Sequence, residues 1–287
     1  MFKMEQYMEE NNSFITLNNE KLRSWLTICL TQGGMVTELG VNGEEILYLN
    51  KATLFDESRP IRGGIPVLFP TSGKLSNDSY IWNEQEYHMP VHGFARDHTW
   101  TIVSTALEEE TASITLRLES SEEMLKLYPF QFELLFTYTV DADGLTIDQS
   151  YQNNTSEPMP IYPGFHPYFQ TDFDIIEIDA QVSTYLDLHD NQEKAWNGSI
   201  NKQNLKPSIV FTNKKGGTVS VQTRNDQRVI MEYGPEFKYT VFWTEEGGDF
   251  VCMEPWVALP NAINEKKGLV YVQPNSSIDT FATFKVK

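Results

Sequence analysis

Between residues 130 and 140 every second side chain is apolar: Phe130, Phe132, Leu134, Phe136, Tyr138 and Val140. Successive side chains of a strand point to opposite faces, so a run with this period buries one face and leaves the other in water. Ile114, Leu116 and Leu118 repeat the pattern upstream, and residues 269–272 and 280–286 read as core strands near the end of the chain. Turn pairs separate such runs at Asn42-Gly43, Asp143-Gly144, Gly216-Gly217 and Gly247-Gly248. Each supplies the positive φ that a tight hairpin demands, which predicts antiparallel connections. No strand–helix–strand alternation appears, so a parallel sheet is not expected. The clearest helical stretch is short, residues 120–127, where Ser121 can cap, Glu122 and Glu123 fill the first turn and Pro129 stops it. The reading is an all-β chain with only short helices, one large antiparallel β-sandwich domain over residues 1–287.

Composition narrows the partners. With 40% hydrophobic and 13% aromatic residues the chain can build a substantial core, and its formal net charge of −18 argues against binding nucleic acid or an anionic membrane. An anionic ligand would need a local cluster of Arg or Lys. The first residues carry Glu5, Glu9, Glu10 and Glu20 without an apolar h-region, so neither signal peptide nor anchor is expected, and no run is long enough to span a bilayer. Cys29 and Cys252 lie far apart in sequence, which fits a reduced cytoplasmic protein better than a disulfide scaffold. Asn197-Gly198-Ser199 therefore carries no weight as a glycosylation site.

Chemistry-bearing residues concentrate in segments that break the alternation, and loops on a rigid β scaffold are where sites usually lie. Arg62-Gly63-Gly64-Ile65-Pro66, continued by Ser72-Gly73-Lys74, reads either as a structural bend or as a close-approach loop. His92-Gly93-Phe94-Ala95-Arg96 sets an imidazole and a guanidinium four residues apart, suited to hydroxyls or an anion, although a capping histidine would look the same. His166, within Gly164-Phe165-His166-Pro167-Tyr168-Phe169, is either a histidine satisfied by a backbone carbonyl or one facing a sugar among aromatics. Glu254 sits among Val251, Met253 and Trp256, and a carboxylate so flanked is paired or functional because an unpaired buried charge is costly. Trp256, Tyr168, Phe165 and Phe69 are read as core, and His88, His98 and His189 as structural or surface residues. His88 and His92 have the spacing of a helical metal pair, but Pro90 between them, the strand context and the want of a third ligand argue against a zinc site there.

In this order and spacing, Arg62-Gly-Gly-Ile-Pro, His92-Gly-Phe-Ala-Arg96, Gly164-Phe-His-Pro-Tyr-Phe and Met253-Glu-Pro-Trp resemble the aldose 1-epimerase superfamily, nearest its LacX branch. Hexose-6-phosphate 1-epimerases share several of these motifs. The resemblance implies the galactose mutarotase-like supersandwich, and interconversion of the α and β anomers of a hexose by acid/base ring opening and reclosure. It implies no cofactor and no metal, a small aldohexose as partner, phosphorylated or not, and a monomer or homodimer. By the same resemblance Glu254 is the general base, His166 the general acid, and His92 a hydrogen-bonding partner of the sugar. Asp187 would hold a sugar hydroxyl, with Asp190 close by as a rival alignment. Lys74 stands where simple aldose epimerases carry an arginine, and lysine lacks the bidentate fork. Arg62 and Arg96 match basic positions that can serve a phosphate in the hexose-phosphate branch. Two other readings remain open: a carbohydrate-binding or sensing protein without turnover, and a glycoside hydrolase, which would need a second carboxylate facing the bond.

Overall fold

The computed structural model of the protein describes residues 1–56, 58–212, 217–224 and 227–287. The alternating run becomes the strand Phe132–Val140, its apolar positions buried and the intervening ones part-exposed, while Phe130 is buried just ahead of it. It pairs antiparallel with Ala112–Glu119, which sets Leu116 opposite Phe136 and Ile114 opposite Tyr138 on the same buried face. These two strands belong to a nine-stranded sheet. Its order is Ser199–Asn201, Ile175–Ala180, Gly217–Gln222, Arg228–Tyr233, Ser276–Val286, Gly144–Asn153, Phe132–Val140, Ala112–Glu119 and Thr101–Leu107. The two strands read near the end of the chain are Val270–Val272 and Ser276–Val286.

A second large sheet runs Gln192–Ala195, Thr184–Asp187, Ile209–Thr212, Tyr239–Trp243, Phe250–Trp256, Gly164–Phe165 and Val67–Leu68, with Tyr168–Gln170 also paired to Phe250–Trp256. The strands from Lys3–Glu9 to Glu44–Glu45 form a five-stranded meander. The inner faces of the two large sheets meet through aromatic contacts, Phe136 with Phe165 at 6.0 Å and Phe169 with Phe284 at 6.0 Å between ring centroids. The main apolar cluster draws on both ends of the chain, from Phe2 to Val286. At roughly 1.5–3 kcal/mol for each fully buried large side chain, this contact between sheets dominates the stabilising side of folding.

Among the turn pairs, Asn42-Gly43 closes the hairpin in which Val41 opposes Glu44, with φ of 55° and 82° as a primed turn requires. Asp143-Gly144 and Gly247-Gly248 also lie between paired strands. Gly216 lies outside the described residues, and Gly217 opens the strand Gly217–Gln222. The expected helix is present but shorter than residues 120–127: it spans Glu122–Leu127, because Ser121 is the cap, its Oγ accepting from the Met124 N–H. Ser120 instead accepts from the Phe132 N–H and so belongs to the sheet side. Among the described residues no helix is long and apolar enough to cross a membrane.

The strand Phe250–Trp256 is buried at every position. Val251 and Met253 enter the main core, whereas Phe250, Cys252 and Trp256 join clusters on the opposite face. Period two therefore puts Glu254 on that outer face, covered by loops rather than by the other sheet.

Candidate active site

Strand register brings the first two functional side chains together. Tyr168 pairs with Cys252 and Gly164 with Trp256, so the position midway, His166, stands cross-strand from Glu254. Pro167 has no N–H to continue the ladder. The His166 and Tyr168 amides turn instead to the carbonyls of Pro66 and Gly64, each at 3.0 Å. Nε2 of His166 lies 3.4 Å from Oε2 of Glu254, and the Trp256 indole N–H donates to that same oxygen at 3.1 Å. Gly164 permits this packing: a Cβ there would come within 2.7 Å of Ser72 Oγ and 2.8 Å of the Trp256 ring.

His92 closes the group from the next loop. Its N–H donates to the Gly73 carbonyl at 2.9 Å, and the Gly73 N–H donates back to His92 Nδ1 at 3.1 Å. With Nδ1 an acceptor, the ring proton is assigned to Nε2, which is thereby a donor. Burial, reinforced by the Arg96 charge, pushes the His92 pKa down to about 3, so the ring is neutral. Its centroid is 5.4 Å from that of His166 and 5.7 Å from the Trp256 ring. Gly93 makes the turn possible, having φ of 74° and no room for a Cβ, which would sit 2.1 Å from the Phe69 carbonyl oxygen.

Aromatic rings wall the pair. His166 stacks on Tyr168 at 4.8 Å and meets the edge of Trp243 at 5.7 Å. The Arg62 guanidinium lies over Trp243, 5.4 Å from its centroid, and its Nε donates to Glu245 at 2.8 Å. Arg96 donates through Nη2 to the Val91 carbonyl at 3.0 Å, while its Nε is buried without a hydrogen bond. A cavity of about 610 Å³ adjoins Arg96 and Pro66 but is not lined by His166 or Glu254.

Electrostatics push the central pair toward neutrality from both sides. Burial raises Glu254 well above the usual carboxylate range, opposed by the Trp256 hydrogen bond. Burial also lowers His166 well below the usual imidazole range, helped by His92, Arg96 and Arg62. Two groups that each avoid charge are thus in contact, and burial favours the carboxylic acid beside a neutral imidazole.

Not every residue expected here is at this centre. Asp187 pairs in register with Ile209, whereas its neighbour Leu186 begins the row through Val210 and Val241 that ends at Glu254. Asp187 therefore points to the other face of the sheet, where its carboxylate binds Lys194 Nζ at 2.6 Å and the His189 N–H at 2.8 Å. Asp190 is no substitute, being exposed and 2.8 Å from the same Lys194 amine. Lys74 is on the surface with its amine 3.6 Å from Asp78. Conversely, Trp256 reads in sequence as core yet donates to Glu254, a role that only the strand register reveals. Cys252 likewise gives no signal in sequence, but its thiol shares the outer face of its strand with Glu254.

Similarity to known proteins gives the family and the fold. The sequence profile of the family described as aldose 1-epimerase matches residues 13–283. The plasmid-borne LacX protein of Lactococcus lactis subsp. lactis is 25% identical over 282 residues, covering 88% of this chain and 90% of that protein. A Cenchrus ciliaris protein provisionally named a glucose-6-phosphate 1-epimerase is 28% identical over 266 residues, covering 84% of this chain and 72% of its own length. The crystal structure of a Synechocystis sp. PCC 6803 protein superposes with a TM-score of 0.88 at 30% identity, covering 99% of this chain and 96% of that one. A galactose mutarotase-like protein from Clostridium acetobutylicum shares the fold, with a TM-score of 0.83 at 20% identity, covering 100% of this chain and 98% of that one. The chain belongs to the aldose 1-epimerase family, a family of isomerases.

Proposed function

We propose that the protein is a hexose mutarotase in which Glu254 is the general base and His166 the general acid. The observation that carries this reading is the 3.4 Å contact between the buried Glu254 carboxyl and the largely buried His166 imidazole. The hydroxyl and ring oxygens that exchange protons in mutarotation are bonded to the same anomeric carbon, so the two groups serving them must be neighbours. Glu254 as carboxylate takes the proton of the anomeric hydroxyl while His166 as imidazolium gives one to the ring oxygen. The bond from C1 to the ring oxygen breaks and a C1 carbonyl forms. The pair is then carboxylic acid and neutral imidazole, the forms that burial favours. Rotation about C1–C2 followed by the reverse transfers closes the ring as the other anomer. His92, through Nε2–H, donates to a sugar oxygen beside the reacting carbon. These steps need only an acid and a base, so no cofactor enters, and each group contributes roughly a hundred- to ten-thousand-fold. Both cysteines are free thiols, which supports a reducing, cytoplasmic setting.

Phosphorylated hexose is the second reading, favoured by Arg62 and Arg96 beside the pair and by the relative provisionally named a glucose-6-phosphate 1-epimerase. Against it, Arg62 is already held by Glu245. Glycoside hydrolysis is disfavoured because Asp187, the candidate second carboxylate, points to the other face of its sheet.

Polarimetry of fresh α-D-glucose, α-D-galactose and glucose 6-phosphate tests both readings. Glu254→Gln and His166→Asn should each lower the catalysed rate at least ~100-fold while leaving sugar affinity within a few-fold. An unaffected rate in either variant sinks the role of that residue, and acceleration confined to the phosphate ester would transfer the assignment to the second reading.

A further inference from the structure

The face of the sheet that presents Glu254 also presents a buried thiol. Cys252 lies two residues before Glu254 on the same strand and points the same way, and His166 faces both from the break between the paired segments Gly164–Phe165 and Tyr168–Gln170. One donor atom from each, a His166 imidazole nitrogen, Cys252 Sγ and a Glu254 oxygen, lie within 4.8 Å of one another, with Cys252 and Glu254 buried and His166 largely so. Mutarotation as derived above uses only the imidazole and the carboxyl, so the thiol has no part in it.

We propose that His166, Cys252 and Glu254 bind a thiophilic divalent cation such as Zn2+, and that its occupation silences the epimerase. The donor types match a borderline-soft ion: one thiolate, one imidazole, one carboxylate, with the fourth tetrahedral position left to water. Donors bound at ~2.0–2.3 Å around one ion stand roughly 3.3–3.8 Å apart. The 3.4 Å contact of His166 with Glu254 already meets that spacing, and the thiol has about 1 Å to close. His166 Nδ1 makes no hydrogen bond, so the small rotation required breaks none at that nitrogen. On binding, the metal–sulfur bond forms as the S–H bond breaks, and both that proton and the one on the Glu254 carboxyl pass to solvent. The acid and the base are then ligands, and neither can exchange a proton with a sugar. This inhibitory consequence rests on the acid–base reading, whereas the site itself does not.

The test follows binding and rate separately in the full chain. Cd2+ is the optical probe, read by thiolate-to-metal charge-transfer absorption; Zn2+ is titrated calorimetrically and in the polarimetric assay, and a chelator then removes it. The expected result is binding of one ion per chain and loss of activity that the chelator restores. Cys252→Ser should abolish the Cd2+ band and weaken Zn2+ binding by at least the ~10–100-fold that loss of an outer-shell partner costs a metal site. Inhibition in each variant is scored against its own metal-free rate. Should the serine variant melt early, Cys252→Ala carries the same comparison, and His166→Asn carries only its binding half, because that variant has little rate left to inhibit. A band that persists in Cys252→Ser would assign the metal to Cys29 and overturn the proposal, as would unchanged Zn2+ affinity. Mutarotation without any Cd2+ band would refute the site and leave the catalytic reading standing; a Cd2+ band in a protein without mutarotation would do the reverse.

Discussion

His92 is held neutral by burial and by Arg96, with a pKa near 3, whereas an unfolded histidine takes up a proton near pH 6.5. Between those values the unfolded chain binds more protons, so stability is full above about pH 6.5 and falls as pH drops toward 3. The difference amounts to something on the order of 4 kcal/mol. His92→Gln removes it, so the urea midpoint of the variant should fall less than that of the wild type between about pH 7 and pH 4. Equal slopes would locate the acid sensitivity elsewhere. Glu254 acts with the opposite sign: its raised value adds stability below the unfolded carboxyl range that is lost as pH rises, and this contribution is common to both proteins. Glu254 was legible in the sequence because apolar neighbours on both sides leave a carboxylate no solvent. Asp187 was not legible, because a one-residue change of face in the short strand Thr184–Asp187 leaves no trace in composition. The hydrogen bond from Trp256 to Glu254 was equally hidden, since the indole looks like any other buried aromatic until register aligns the two.

At the scale of elements, the turn that presents His92 depends on a residue without a side chain. Gly93→Ala would force a Cβ against the Phe69 carbonyl in a left-handed backbone, so a loss of roughly 2–4 kcal/mol is expected in thermal or urea unfolding. Epimerase activity per folded molecule should fall too, as the reciprocal bonds between Gly73 and His92 are displaced. A variant as stable and active as the wild type would show that the turn has another way to close. Strands such as Ala112–Glu119 and Phe132–Val140 could be read from the sequence because one face is wet and alternation survives. Phe250–Trp256 is buried on both faces, so no alternation marks it, and only the lone carboxylate betrayed its site. The cap of the short helix was legible as Ser121, and only the outer bound of residues 120–127 overran, because Ser120 accepts from the Phe132 N–H and serves the sheet.

For the whole molecule, the net charge of −18 separates the two substrate classes. An anionic sugar phosphate approaches against that field, so adding salt should raise kcat/KM for the phosphate ester as repulsion is screened and leave the neutral hexose unchanged. A fall for the ester would instead reveal local attraction by Arg62 and Arg96. The one-domain reading of residues 1–287 expects a single calorimetric transition, given an apolar cluster fed by both ends of the chain; two separable transitions would divide it. On the proposed assignment, the spacing of acid and base is set by the strand Phe250–Trp256 and the segments Gly164–Phe165 and Tyr168–Gln170 that flank His166, while Arg62, Arg96 and His92 lie outside the strands. Chemistry and selectivity are thus carried by parts that can change independently. Over evolutionary time such a protein can trade one sugar for another by altering its rim while the ruler that spaces the proton-transfer pair stays the same.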